Sequence, residues 1–323
     1  MEEDSFLTVR DLKTQFFTYE GTVQALDGVN FQVKENEAVG LVGETGCGKS
    51  VTALSILRLV RPPGYIVAGE ILYKKENLLS KTEQEMRTIR GKGISMVFQD
   101  PTNCLNPVMK VGDQISELFI HHQKSSKSEA RKETLELMEN LDLPDARRLY
   151  GQYPHEFSGG MRQRIMLAIA LGLRPGLVIF DEPTTNLDVT TQAEILEYIK
   201  QLEEKYEMAS IWITHNLGIV ANMCDRVAVM YAGSVVEVGG VSKVLLNPAH
   251  PYTQMLQKCV PRLNQEKKRL EVISGTVPDL TNPPKGCRFH PRCPLAMEKC
   301  KTERPGQMEI GREHLVACWL HGK

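Results

Sequence analysis

The stretch Gly43–Ser50 constrains this chain more than any other, because it spaces three glycines, a lysine and a serine in the pattern G-x-x-x-x-G-K-S. The apolar run Ala38–Val42 precedes it and predicts a buried parallel strand, and Val51–Arg58 follows it and predicts a helix. Strand, glycine loop and helix form the setting in which this pattern binds nucleotide phosphates. The alternative, a glycine-rich turn with an incidental lysine, does not explain why the motif and both flanks agree.

The residue types of this loop suit a nucleoside triphosphate and its metal ion. Glycines let successive backbone N–H groups point at phosphate oxygens, and the start of a helix adds partial positive charge. Lys49 would reach the β- and γ-phosphates, Ser50 would bind Mg²⁺ through its hydroxyl, and Cys47 predicts sensitivity to thiol reagents. We predict that ATP is bound by a continuous set of residues: Gly43, Glu44, Thr45, Gly46, Cys47, Gly48, Lys49, Ser50 and Val51.

Length and charge exclude several classes of protein. The chain has 323 residues, enough for one large or two modest domains. Its net charge of −1 provides no general basic surface for nucleic acid. The longest apolar run, Ile165–Leu173, is far too short to span a membrane, and the acidic start Met1–Asp4 lacks the apolar segment of a secretion signal. We therefore expect a soluble intracellular protein that acts at a membrane only through partners.

Two strand ends carry polar groups suited to phosphate chemistry. The apolar run Leu177–Phe180 predicts a strand in a parallel sheet, and Asp181 and Glu182 follow at its carboxyl end, where ligands of α/β proteins bind. Asp181 would hold Mg²⁺, and Glu182 would orient or deprotonate the attacking water. A structural salt bridge is the alternative, although a phosphate-binding loop requires an acid of this kind. Gln99 ends the predicted strand Ile94–Phe98 and would contact Mg²⁺ or the attacking water.

Two further features are weaker when taken alone. Ser158, Gly159 and Gly160 open a predicted helix, and they leave backbone amides uncovered at an anion-binding helix end. An ordinary capped helix is the alternative. His215 follows the predicted strand Ala209–Thr214 and would sense the γ-phosphate, whereas a lone histidine is more often structural.

These motifs, in this order and together with Asp188, resemble the nucleotide-binding subunit of an ABC transporter over roughly residues 5–260. The resemblance implies an α/β fold: a P-loop NTPase of ABC type with a RecA-like core, an antiparallel β subdomain and a helical subdomain at about residues 102–172. The implied domains are residues 1–260 for nucleotide binding and 261–323 for a linker and a small cysteine-rich C-terminal module.

The resemblance also implies a head-to-tail dimer that encloses ATP. Ser158, Gly159 and Gly160 would contact the ATP of the partner subunit, and Asp188 would lie across the dimer seam. Either Phe16 or Phe17 could stack on the adenine ring, but not both, because adjacent strand residues face opposite sides. The resemblance favours Phe16.

A finer resemblance, to the ATPases of dipeptide and oligopeptide importers, lies in the stretches Val97–Pro101, Leu105–Pro107 and Pro248–Gln254 and in the cysteine tail. Met161 stands where most ABC proteins carry glutamine, which implies a heterodimer with a distinct ATPase subunit. The resemblance further implies two transmembrane permease subunits, an extracytoplasmic peptide-binding protein as an indirect partner, no nucleic acid, and a peripheral location on the cytoplasmic face of the cell membrane. Another cargo such as nickel or an opine, a soluble ATPase acting on nucleic acid, and a redox-regulated ATPase remain alternatives.

Four of the eight cysteines crowd the end of the chain, with the spacing Cys287-x₅-Cys293-x₆-Cys300-x₁₇-Cys318. In a reducing compartment such a cluster indicates metal or iron–sulfur ligation rather than disulfides. Zinc modules usually contain tight C-x₂₋₄-C pairs, which are absent here. The wide spacing and the importer resemblance favour a 4Fe–4S cluster, and zinc, free thiols or disulfides remain alternatives.

Overall fold

The computed structural model describes residues 5–100, 104–185, 187–259 and 273–322. Its strands are β1 Ser5–Thr18, β2 Gly21–Lys34, β3 Ala38–Val42, β4 Gly64–Tyr73, β5 Glu76–Asn77, β6 Ile94–Val97, β7 Leu177–Asp181, β8 Ala209–Thr214, β9 Arg226–Tyr231, β10 Ser234–Gly240, β11 Met308–Gly311 and β12 His314–Val316. Its α-helices are α1 Lys49–Ile56, α2 Glu83–Ile89, α3 Val111–Gln123, α4 Lys127–Asn140, α5 Ala146–Leu149, α6 Gly159–Leu171, α7 Val189–Tyr206, α8 Leu217–Met223, α9 Val241–Leu246, α10 Pro251–Lys258 and α11 Glu298–Thr302. None of the helices within these ranges is both long and apolar enough to cross a membrane.

The chain forms two compact units. The first comprises Met1–Ser80 together with Trp212–Lys323, and the second comprises Lys81–Ile211, so the chain returns to the first unit within β8. Parallel and antiparallel strand pairs both occur, which confirms the predicted α/β class. The predicted domain boundary at residues 260–261 lies outside the described residues.

The first unit contains an antiparallel sheet in the order β2-β1-β4-β5. It also contains a mixed sheet in which β11, β12, β10, β9 and β3 are neighbours in that order. Among these five strands, β3 and β9 pair in parallel, and the other neighbours pair antiparallel. The apolar runs Val227–Tyr231 and Val235–Val238 predict a hairpin across Ala232–Gly233, and the structure confirms it. Both turn residues have positive φ, 46° and 80°, which matches the twist of the flanking strands.

The C-terminal tail joins this mixed sheet. Strand β12 pairs antiparallel with β10 on one side and with β11 on the other. Phe289, also from the tail, is fully buried in the same core as Tyr231 and Tyr252. The sequence predicted a small module with little core of its own, whereas the described part of the tail shares the core of the first unit.

The second unit pairs β6 and β7 in parallel, and every residue of both strands is buried. The sequence also predicts helices over residues 112–123 and 128–141, and the structure confirms them as α3 and α4. Helix α4 begins with a capping box, in which Ser126 and Glu129 each satisfy the backbone N–H of the other. The two buried strands place the side chains that follow them, Gln99 and Glu182, at the same edge.

Candidate nucleotide-binding and catalytic site

The glycine loop lies between β3 and α1, as predicted, and two of its glycines are required by the space around them. Gly43 has φ 153°, and a Cβ there would lie 2.2 Å from the carbonyl oxygen of Met230. Gly48 has φ 106° at the N-cap of α1, and a Cβ there would lie 2.7 Å from Leu26. The loop therefore curls against its own unit with no room for side chains at these positions.

Lys49 crosses the inside of the loop. Its Nζ donates to the carbonyl oxygens of Gly43 at 2.8 Å and Glu44 at 3.1 Å, and the residue is buried. Thr45, Gly46 and Ser50, in contrast, are exposed on the rim. This arrangement places a buried cation behind an accessible rim that carries two hydroxyls, those of Thr45 and Ser50, as suits a phosphate ligand.

Glu44 and Cys47 are held by neighbours that the motif does not reveal. The backbone N–H of Glu44 donates to the hydroxyl of Tyr252 at 2.9 Å, and its carboxylate receives two hydrogen bonds from Arg292. The Cys47 thiol is completely buried, and this burial raises its pKa despite the nearby Lys49.

In the second unit, Glu182 follows β7 and is joined to Gln99. The amide Nε2 of Gln99 donates to Glu182 Oε2 at 2.9 Å, and the hydroxyl of Thr185 donates to the same oxygen at 3.0 Å. Glu182 has φ 47°, a left-handed conformation that non-glycine residues rarely adopt. Asp181, the last residue of β7, is buried. The structure thus brings together Gln99 and Glu182 with a fixed carboxylate orientation.

Ser158 and Asp188 each cap a helix of the second unit. Ser158 Oγ accepts the N–H of Met161 at the start of α6, and Asp188 accepts both the N–H and the hydroxyl of Thr191 at the start of α7. Those hydrogen bonds lower the pKa of Asp188. A Cβ on Gly160 would lie 3.0 Å from the methyl group of Thr191, so the two helix starts are neighbours.

The first unit contains the other predicted residues. Phe16 is half-buried, and its ring lies against Gly64, where a Cβ would come within 2.5 Å of it. Phe17 is 49% exposed beside Tyr65, with ring centroids 5.9 Å apart. His215 is exposed after β8, immediately before Asn216, which caps α8.

The four tail cysteines, Cys287, Cys293, Cys300 and Cys318, line one largely apolar cavity. None of the four forms a disulfide. Burial raises the pKa of Cys287 to about 11 and also raises the pKa values of Cys293 and Cys318. Among the described residues, no group of three or more His, Cys, Asp or Glu side chains could hold a metal ion.

Sequence reasoning did not predict how the tail is anchored. Glu237 on β10 is completely buried, and its carboxylate accepts the N–H groups of Ala249 and His250 at 2.8 and 2.9 Å and bonds to His314 Nε2 at 2.8 Å. A buried carboxylate must be hydrogen-bonded to be tolerated. A lone glutamate within the apolar run Val235–Val238 was the only sequence signal.

Comparisons with known proteins identify relatives of this chain. The family described as "ABC transporter" matches residues 26–185, and the family described as "Oligopeptide/dipeptide transporter, C-terminal region" matches residues 236–300. The oligopeptide transport ATP-binding protein OppD of Bacillus subtilis is 49% identical over 316 residues, covering 97% of this chain and 88% of that protein. The dipeptide transport ATP-binding protein DppD of the same organism is 48% identical over 318 residues, covering 98% and 95%.

A solved structure extends the comparison. The dimeric, post-hydrolysis state of an ATP-binding cassette bound to ADP and Pi is 26% identical, with a TM-score of 0.65, and covers 73% of this chain and 98% of that chain. The mixed α/β architecture and the glycine loop define a P-loop NTPase of the ABC type. The chain belongs to the ABC transporter family, among the ATP-binding subunits of the oligopeptide and dipeptide group. The resemblance drawn from the motifs is confirmed at this level, and the chain is an ABC ATPase.

Proposed function

We propose that this chain binds and hydrolyses ATP at the cytoplasmic face of a membrane and thereby powers the import of dipeptides or oligopeptides. The observation that carries the proposal is the glycine loop, curled too tightly for side chains at Gly43 and Gly48 and crossed by Lys49. It occurs in a chain that is 49% and 44% identical, over nearly its full length, to oligopeptide transport ATP-binding proteins of two bacteria.

In this proposal the glycine loop binds the triphosphate. The nitrogen of Lys49 exchanges its loop carbonyls for the β- and γ-phosphate oxygens, and backbone amides within Gly43–Val51 bind the remaining oxygens. Phe16 stacks on adenine. The hydroxyl of Ser50, the carboxylate of Asp181 and the amide oxygen of Gln99 are oxygen donors of the kind Mg²⁺ prefers. When bound, Mg²⁺ neutralises charge on the β- and γ-phosphates.

Glu182 orients the attacking water and accepts its proton, and His215 contacts the γ-phosphate. The two hydrogen bonds that Gln99 and Thr185 donate to one carboxylate oxygen support this role, because they fix the direction of the side chain. Catalysis then consists mainly of positioning and charge stabilisation.

The complete site requires a second ATPase subunit. We assign Ser158, Gly159 and Gly160 to the ATP of that partner and Asp188 to the seam. Gly159 is exposed at the start of α6, and a Cβ there would meet open space, which leaves the helix end accessible to a ligand. The similar ATP-binding cassette with a TM-score of 0.65 is described as dimeric and bound to ADP and Pi, which supports a dimer here. Met161 favours a distinct partner, so we propose a heterodimer bound to two transmembrane permease subunits, with an extracytoplasmic peptide-binding protein delivering the cargo.

The test is uptake of a labelled dipeptide and a labelled tetrapeptide by cells that lack the chromosomal copy of this chain. The wild-type chain should restore peptide uptake, and Glu182→Gln should bind ATP but lose about 100-fold or more of the ATPase rate and all uptake. Glu204→Gln, an exposed position on α7, is the matched control and should behave as the wild type. Restored uptake of nickel instead of peptide, or full activity of Glu182→Gln, would refute the proposal.

We further propose that Cys287, Cys293, Cys300 and Cys318 bind a 4Fe–4S cluster. Their convergence on one cavity, without disulfides, supports a shared ligand. The cysteine spacing lacks the tight C-x₂₋₄-C pairs of zinc modules, and four thiolates are the ligands that a 4Fe–4S cluster uses. The cluster would fasten the tail, and no step of ATP hydrolysis depends on it.

Metal analysis of protein purified without oxygen tests this assignment. We expect iron and acid-labile sulfide in equal amounts, near four of each per chain. The Cys300→Ser variant should lose both, and Cys104→Ser, an exposed thiol of the second unit, should lose neither. Stoichiometric zinc without sulfide would replace the cluster by a zinc site, and the absence of both metals would leave four free thiols.

A further inference from the structure

Arg292, one residue before Cys293, reaches from the cysteine tail to the glycine loop. Its Nη1 donates to Glu44 Oε2 at 2.7 Å and its Nη2 donates to Glu44 Oε1 at 3.0 Å. This is a two-bond pairing of a planar guanidinium with a carboxylate, which fixes both distance and orientation. The two residues are 248 positions apart in the sequence.

The guanidinium is held in place from behind. Arg292 Nε donates to the carbonyl oxygen of Ser274 at 3.0 Å, Nη2 donates to that of Ile273 at 3.3 Å, and Nη1 donates to the hydroxyl of Tyr231 at 3.3 Å. Its side chain is only 6% exposed, against 25% for Glu44. Because three further acceptors hold the guanidinium of Arg292, this side chain can fix the position of the glycine loop.

A second contact on the same loop residue depends on the tail as well. The backbone N–H of Glu44 donates to the hydroxyl of Tyr252, which is completely buried. The Tyr252 ring packs against Tyr231 and Phe289, with centroids 4.7 and 5.4 Å away. Phe289 belongs to the tail. The side chain and the main chain of Glu44 are thus both supported, directly or through one ring, by the segment Cys287–Cys293.

The same short segment carries two of the clustered thiols. The chain turns tightly from Cys287 to Cys293: the N–H of His290 donates to the carbonyl of Cys287 at 3.0 Å, and the N–H of Cys293 donates to that of His290 at 3.3 Å. Residues His290–Arg292 form a 3-10 turn. Arg292 therefore cannot keep its place on Glu44 if this turn opens.

We propose that Arg292 is a positioning residue of the nucleotide site, so that ATP affinity at the glycine loop depends on the folded cysteine tail. This inference rests on the proposed binding of ATP by Gly43–Val51. A loop that is already held in its binding shape loses less conformational freedom when the ligand arrives, and so binds it more tightly. Coupling between two sites is reciprocal, so bound ATP also stabilises the turn Cys287–Cys293.

Nucleotide binding by the full chain tests the first half. Arg292→Gln should raise the dissociation constant and KM for ATP by about 5- to 20-fold while kcat changes less than twofold. Glu44→Gln should raise both constants by a similar factor. The double variant should bind ATP as tightly as either single variant, because both substitutions remove the same Arg292–Glu44 interaction. Arg292→Lys keeps the charge without the fork and should recover part of the affinity. Arg312→Gln, an exposed arginine of the same tail, should match the wild type.

Hydrogen exchange tests the second half. ATP should slow amide exchange in the peptide that contains residues 287–293 in the wild type, and this protection should disappear in Arg292→Gln. An ATP affinity of Arg292→Gln within twofold of the wild type, or effects of Arg292→Gln and Glu44→Gln that multiply, would overturn the inference. Failure of the wild type itself to bind ATP would instead overturn the proposed function. If the wild type and Arg292→Gln exchange their amide hydrogens equally in the absence of ATP, the loss of ATP affinity in the variant does not result from unfolding of the tail.

Discussion

The amide of Gln99 donates a 2.9 Å hydrogen bond to the carboxylate of Glu182, although 83 positions separate the two residues in the sequence. Strands β6 and β7 are buried and pair in parallel. Gln99 lies two residues after the end of β6, and Glu182 directly follows β7. Parallel strands bring their carboxyl ends to one edge, and the side chains beyond them therefore meet. In our proposal the bond keeps the carboxylate aimed at the water it activates.

Removing this amide should lower the rate of hydrolysis more than the binding of ATP. We expect Gln99→Ala to reduce kcat by about 10-fold, because the carboxylate loses one of the two donors on Oε2, with a smaller change in KM. Steady-state ATPase assays with the partner subunit measure both constants. Gln201→Ala, on the exposed surface of α7, is the control. An unchanged kcat in Gln99→Ala would contradict the positioning role.

Two glycines of the loop should differ in their tolerance of a methyl group. In Gly43→Ala the new Cβ would lie 2.2 Å from a backbone carbonyl, whereas in Gly46→Ala it would meet open space and only the positive φ of 81° would be unfavourable. We expect Gly46→Ala to cost about 1–2 kcal/mol of unfolding free energy, and Gly43→Ala about 2 kcal/mol more. Urea unfolding measures both values. Equal losses would show that the loop has room at Gly43.

Burial of His250 should make the folded protein less stable at acidic pH than at neutral pH. Burial lowers its pKa to about 3, with a smaller contribution from nearby His321, and in the unfolded chain the pKa is about 6.5. Between these values the unfolded chain binds a proton that the folded protein does not, so the free energy of unfolding rises with pH. Above about pH 6.5 the contribution of this group is constant.

The variant His250→Asn isolates this effect, because asparagine keeps an acceptor for the N–H of Tyr252 that His250 Nδ1 now accepts at 3.0 Å. Below pH 6, the free energy of unfolding of this variant should rise with pH less steeply than that of the wild type, by about 1.4 kcal/mol per pH unit. Urea unfolding between pH 4 and pH 7 measures this slope. Gln123→Asn, an exposed position on α3 that does not titrate, should leave the wild-type dependence unchanged. Identical profiles for the wild type and His250→Asn would contradict the assignment.

Cys47 should react slowly with thiol reagents, contrary to the expectation from the sequence alone. The residue is completely buried, and burial raises its pKa, so few molecules carry the reactive thiolate. Cys104 is exposed and serves as an internal reference. We expect mass spectrometry after brief alkylation to find the label on Cys104 well before Cys47. Equal labelling rates would show that the loop opens readily.

Local signals predicted much of the fold. The turn Ala232–Gly233, the loop Gly43–Ser50 and the cap at Ser158 depend on residues next to one another, and the structure contains all three. The tail strands β11 and β12 were not predicted. They have only four and three residues, and β12 pairs with β10, about 80 positions earlier, so no short-range pattern reveals them.

The same distinction applies to the site. The sequence predicts which groups would contact ATP, because phosphate chemistry restricts their types and spacing. It did not identify Arg292 or Tyr252, which hold Glu44 from distant parts of the chain. Residues that support a loop in this way do so by packing, and many residue types can fill such a position, so no sequence pattern marks them.

Pairing of β12 with β10 also has a practical consequence for shortening the chain. The match to the oligopeptide/dipeptide C-terminal region ends at residue 300, so a fragment cut there would keep β10 but lose both strands that follow it. Strand β10 is almost entirely buried, and cutting would leave a row of unpaired backbone groups flanked by valines along one side. Such edges recruit strands from other molecules. The natural sheet ends instead in a four-residue strand with an exposed glutamate at position 309, a poor template for self-association.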